Sequence, residues 1–163
     1  NPDQSAFLEC MAQAFEGYIK RDGANVGIAM AVEGDEANIH CLTQIKAKET
    51  KEYKVVAWLL ENNIYSPDQD GATEEYHKYY NFALRNISGE YDSSNVAGES
   101  VGIIEAGQTY DCEFTLPIVS TKWNWENMGV LVIVSAKNAN NQWDVVNSAY
   151  CPVKESKAYE YVE

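Results

Sequence analysis

The chain has 163 residues, 45% of them apolar, with eleven Tyr and four Trp, which describes one folded domain rather than a disordered chain. Twenty-five acidic residues against twelve basic ones leave a formal charge of −13, a surface that repels nucleic-acid backbones and anionic membranes. No apolar run approaches the ~18 residues that a membrane-crossing helix needs.

Residues 1–23 read as an N-terminal helical segment ahead of a β domain over 24–163. Asn1 caps, Pro2 takes the first helical position, and Phe7, Leu8, Met11, Ala14, Phe15, Tyr18 and Ile19 recur at helical spacing. Lys20 and Arg21 suit the negative end of that helix and Gly23 its exit. The stripe packs either on the body of the domain or on a preceding one.

Beyond Gly23 the apolar period becomes two. Val26, Ile28, Met30 and Val32 alternate with small residues, and Ile39, Cys41 and Ile45 alternate with polar ones after a Gly34-Asp35 turn. Val55–Leu60 is apolar on both faces, as a central strand is. Residues 61–97 form a long irregular stretch in which Tyr76–Ile87 holds a short helix or an edge segment. Tyr110, Cys112, Phe114, Leu116 and Ile118 alternate with polar neighbours, and Met128–Ala136 is again apolar on both faces. A turn at Asn138–Gln142 leads to a last strand, Trp143–Val153. Six or seven strands joined by short turns, without a βαβ rhythm, predict a mainly β fold: an immunoglobulin-like antiparallel β-sandwich with an N-terminal α-helix.

The candidate chemistry is sparse. Phosphate-binding glycine motifs and C-x-x-C are absent. Of the two histidines, His40 and His77, the first points away from Cys41, because neighbours on a strand face opposite sides, so a Cys–His nucleophile is not expected. Cys41 and Cys112 point inward, as small apolar core residues or as a buried disulfide; Cys10 and Cys151 are a second pair or free thiols. Glu61 ends a central strand without a partner at a defined distance, which suits backbone bonding better than acid catalysis. Asp68, Asp70 and Gly71, with Glu74 and Glu75, lack the third ligand position that a calcium loop needs before its glycine. No catalytic residue, metal or cofactor is therefore expected. Trp123 and Trp125 lie in a loop where aromatics stack on sugars or fold back over the core, and Tyr65, Tyr76, Tyr79, Tyr80 and Tyr91 make the long loop aromatic-rich. Trp123, Trp125, Tyr65 and Tyr79 are the candidate binding residues.

Three landmarks then point to a family. Residues 56–69, VAWLLENNIYSPDQ, end a strand in an acid and continue through a turn and an aliphatic residue to Gln69. Tyr80-Asn-Phe-Ala-Leu-Arg85 follows, with Gly89 behind it, and the last strand carries Val145-Val146-Asn147. Over about residues 25–153 the chain resembles a Bacteroidetes family named for a twenty-eight-kilodalton outer-membrane protein and described as adhesin-like. Members often carry His on either side of the Asn, where this chain has Tyr80 and Phe82, so a histidine metal cluster is not implied.

The resemblance implies an exported lipoprotein domain, at the bacterial surface or in the periplasm, without enzyme chemistry. Family members often place such a domain after a thioredoxin-like one, whose tail the helix at 2–21 would be. Glu61, Gln69, Asn81 and Arg85 then read as an internal polar network, with Arg85 forked onto Glu61. The expected function is a non-enzymatic interaction or accessory module that contacts protein or glycan through loops 62–97 and 119–127, meets no nucleic acid, and touches membrane only through a lipid anchor. The alternative is a thiol-redox accessory domain beside a thioredoxin-like partner, which an exposed, reactive Cys10 or Cys151 would favour.

Overall fold

The computed structural model describes residues 25–68, 73–89 and 98–159. The helix expected over 2–21 lies outside them, as do Cys10, Gln69, Asp70 and Gly71.

The period-two stretches become β1 (Val26–Gly34), β2 (Asn38–Ala47) and β8 (Thr109–Pro117). The continuously apolar ones become β3 (Lys51–Glu61) and β9 (Met128–Lys137). The remaining strands are β4 (Ile64–Tyr65), β5 (Tyr79–Tyr80), β6 (Ala83–Ile87), β7 (Glu99–Ile104), β10 (Trp143–Pro152) and β11 (Glu155–Lys157). Single 3₁₀ turns occupy Glu75–Lys78 and Trp125–Asn127. Eleven strands therefore stand among the described residues where six or seven were expected. The additions are short pieces within the long connection, the edge strand β7 and the C-terminal β11.

All pairings are antiparallel. One sheet has the order β11-β1-β2-β8; the other runs β10-β9-β3-β6, with β7 also on β3, and β4-β5 forms a small separate ribbon. β6 and β7 occupy successive stretches of the same edge of β3: Ala83–Ile87 pairs with Trp58–Glu61, and Glu99–Ile104 pairs with Lys51–Val55.

One apolar core lies between the two larger sheets. Val26, Ile28, Met30 and Val32 of β1 and Ile39, Cys41 and Ile45 of β2 meet Tyr53, Val55, Ala57 and Leu59 of β3 and the even-numbered residues of β9. The alternation read from the sequence of β1 and β2 is thus the inward face of a sheet. On β3 the opposite face is closed too, with Val56 and Leu60 buried, which explains its unbroken apolar run. β8 is more open than its pattern promised, because it ends a sheet: Leu116 is buried, while Cys112 and Phe114 are only partly covered and Tyr110 is exposed. The bulge between Val145 and Asn147 turns Asn147 toward the first sheet, where its side-chain amide donates to the Val26 carbonyl (2.8 Å) and ties the two sheets together.

Candidate functional site

The described loops converge where β3 ends. Glu61 shares the inward parity of Tyr53 and Leu59, so it would place a charge at the rim of the core. Two groups meet that charge. The Arg85 Nε on β6 donates to Glu61 Oε2 (2.7 Å), and the backbone N–H of Asn124 donates to Oε1 (2.9 Å). The Glu61 side chain is 5% exposed and that of Arg85 25%, so neither is left to water alone. The contact is made through Nε, not as the expected fork. The Arg85 guanidinium lies 5.3 Å from the centre of the Trp123 ring, within cation–π range.

The 119–127 loop repeats this arrangement one step on. Asn124 Oδ1 caps the 3₁₀ turn by accepting from the Glu126 N–H (3.1 Å). Lys154 Nζ sits 4.4 Å from the Trp125 ring centre and 3.0 Å from Glu126 Oε1. Trp123 and Trp125 both pack against the core. They lie at the rim as lids, each with a cation beside its ring.

The second part is the ribbon that leaves Glu61. Asn63 and Phe82 both have φ 57°, the left-handed region that bulky residues avoid. Side-chain amides hold them there: Asn63 N–H donates to Asn81 Oδ1 (3.0 Å) and Phe82 N–H to Asn62 Oδ1 (2.8 Å). Asn62 Nδ2 donates to the Tyr150 hydroxyl (2.7 Å), and the Phe82 ring meets the Tyr150 ring edge-on at 5.4 Å. Beyond this clamp Tyr65 and Tyr79 face each other across the ribbon with ring centres 5.2 Å apart. Exposure is 51% for Tyr65, 40% for Tyr79, 42% for Tyr80 and 61% for Phe82.

Of the four residues read as one polar network, the structure joins Glu61 and Arg85. Asn81 belongs to the separate clamp of the ribbon, where its side chain accepts from the Asn63 N–H. Asn62 and Tyr150 were not singled out in the sequence; the only local signal was the Asn-Asn doublet after Glu61.

The thiols complete the inventory. Cys41, Cys112 and Cys151 are free, so a Cys41–Cys112 disulfide is not formed. Register gives the reason: Cys41 pairs with Phe114 and Cys112 with Thr43, which makes the cysteines diagonal neighbours. Diagonal side chains on adjacent strands stand too far apart for an S–S bond. Burial pushes the Cys41 thiol up to about 11, eased by its contact with the Thr43 hydroxyl (3.3 Å). Burial likewise pushes Cys112 up to about 12, and raises Cys151. His40 is exposed and bonds Thr115 Oγ1 (3.2 Å) on the opposite face from Cys41.

A pH dependence follows. In the unfolded chain these thiols ionise near 9.0, whereas in the folded chain they stay protonated to about 11 and 12. Between those limits the folded state holds more protons, so stability is complete below 9.0 and falls as pH rises above it. Thermal melts of wild type and Cys41→Ala from neutral to alkaline pH check this, with a shallower alkaline decline expected in the variant. In labelling at pH 8, the buried Cys41 and Cys151 should stay unmodified until the protein is unfolded.

Two antiparallel sheets enclosing one apolar core, with a rim of capped loops at the end of β3, define a mainly β protein. Residues 5–157 match the family model of outer membrane protein Omp28, and the chain belongs to that family of outer membrane proteins. Neither the curated proteins nor the solved structures contain a significant match to the chain. No helix among the described residues is long and apolar enough to cross a membrane.

Proposed function

We propose that this domain is a non-enzymatic interaction module of an exported cell-envelope lipoprotein, and that it engages a protein or glycan through the rim at the end of β3. The observation that carries the reading is the ribbon at Tyr65, Tyr79, Tyr80 and Phe82, whose rings stay exposed although the backbone beneath them is clamped in a strained conformation. Strain held by dedicated side-chain bonds is a feature of recognition sites, and rigid aromatic rings give contact area at low entropic cost. Glu61 supports the non-catalytic part of the reading, since both its oxygens are already engaged.

The immunoglobulin-like part of the reading rests on strand order. β1-β2-β8 and β10-β9-β3 correspond to the A-B-E and G-F-C strands of such sandwiches, with β6 beside β3 where a C′ strand stands. The thiol-exchange alternative draws no support from Cys151, which is buried with its thiol raised.

A glycan array and a pull-down from cell envelope test the proposal. Wild type is expected to bind in one of them, and Tyr65→Ala with Tyr79→Ala to lose about tenfold or more in affinity while keeping its melting temperature. Silence of the wild type in both assays, or undiminished binding by the double variant, would overturn it.

A further inference from the structure

Among the described residues the first sheet ends at β8. Ala47 N–H donates to Gln108 O (3.0 Å) and Ile118 N–H to Ala37 O (2.8 Å) at the two ends of the β2–β8 ladder. In an antiparallel pair the bonded positions recur at every second residue. Tyr110, Cys112, Phe114 and Leu116 therefore spend their backbone groups on β2, and Thr109, Asp111, Glu113 and Thr115 direct theirs away from it. No strand among the described residues pairs with that side of β8. Pro117 ends the free stretch: it has no N–H, and its carbonyl accepts from Asn86 Nδ2 (2.9 Å).

We propose that this edge receives an extended segment of another protein as an added antiparallel or parallel strand, and that the segment carries Lys or Arg at alternate positions. The charge pattern selects the partner. Asp111 and Glu113 stand on the outward face of β8, alternating with Tyr110, Cys112 and Phe114 on the core side. An incoming strand that sets cations against the two acids sets its other face, small and apolar, over the partly covered Cys112 and Phe114. Glu113 has no side-chain partner among the described residues, whereas Asp111 accepts from Gln44 (2.7 Å) and keeps a second oxygen. Beside these acids the outer face forms a groove of about 630 Å³ whose lining includes Ala29, Leu42, the latter 58% exposed, and Lys157 of β11. The aliphatic stem of a lysine lies there with its ammonium at the carboxylates. The same acids exclude a second copy of this chain, because two β8 edges would set like charges opposite each other. In an immunoglobulin-like sheet of this order a further strand occupies this position.

The test uses a capped synthetic peptide alternating Lys and Val, beside a peptide of the same composition with the two residues in separate blocks. The wild-type domain is expected to bind the alternating peptide saturably and about tenfold or more tightly than the block peptide, with the preference weakened by salt. Glu113→Pro removes an outward N–H without touching the β2 ladder, so it is expected to lose the preference while the melting temperature holds. Asp111→Lys with Glu113→Lys is expected to transfer the preference to an alternating Glu-Val peptide, and decides the matter if the proline variant fails to fold. Equal binding of the two Lys-Val peptides by wild type, a preference that survives Glu113→Pro in a folded protein, or no change of peptide choice in the charge-reversed variant would each overturn the proposal.

Discussion

Arg85→Ala is expected to lower the unfolding free energy by about 3–5 kcal/mol, since it leaves Glu61 buried at the core rim with its main charge partner gone. In a domain of this size that is a fall of roughly 10 °C in melting temperature. Two outcomes separate this from loss of packing on Trp123. Arg85→Lys keeps a charge but not the planar stack, and should recover part of the loss. Glu61→Gln with Arg85→Ala removes the stranded charge, and should be less destabilised than Arg85→Ala alone. Denaturant melts of the four proteins check both. If Arg85→Ala melted with wild type, the rim pair would be a surface contact of no structural weight.

Gly98→Ala should cost a comparable amount, about 2–5 kcal/mol, for a different reason. Gly98 has φ +87°, and a Cβ there would stand 2.1 Å from the Val55 carbonyl oxygen and 2.8 Å from the Val56 nitrogen. Both obstacles are backbone of the central strand, so no side chain can swing aside. The chain must withdraw from β3, and β7, which begins at Glu99, is the element that yields. Calorimetry is expected to show the loss, and hydrogen exchange to place it in β7 before β9. Exchange unchanged in β7 would mean that the chain accommodates the methyl elsewhere.

The sequence declared those parts of the fold whose stability is periodic. β1 and β2 alternate because one face of each is core, and β3 and β9 are apolar throughout because β3 is covered on both faces. The ribbon β4–β5, two residues on each side, is too short to show a period and stands by side-chain clamps. β11 pairs with β1 across more than a hundred residues, and a Glu-Ser-Lys triplet carries no apolar signal for that. In the site, Glu61 and Arg85 were legible only through the family landmarks that carry them. Asn62 was not, because its partner Tyr150 lies 88 residues away. Trp123 was noticed as an aromatic, but its role beside Arg85 depends on a loop crossing that no local spacing encodes.

The pairing of β2 with β8 and of β3 with β9 has a kinetic side. β8 and β9 both lie in the second half of the chain, and the first half of the described residues can close the β1–β2 hairpin and the β4–β5 ribbon before them. High sequence separation between contacts slows commitment to the native topology. For a member of an outer membrane protein family, a polypeptide that locks late remains threadable on its way to that membrane.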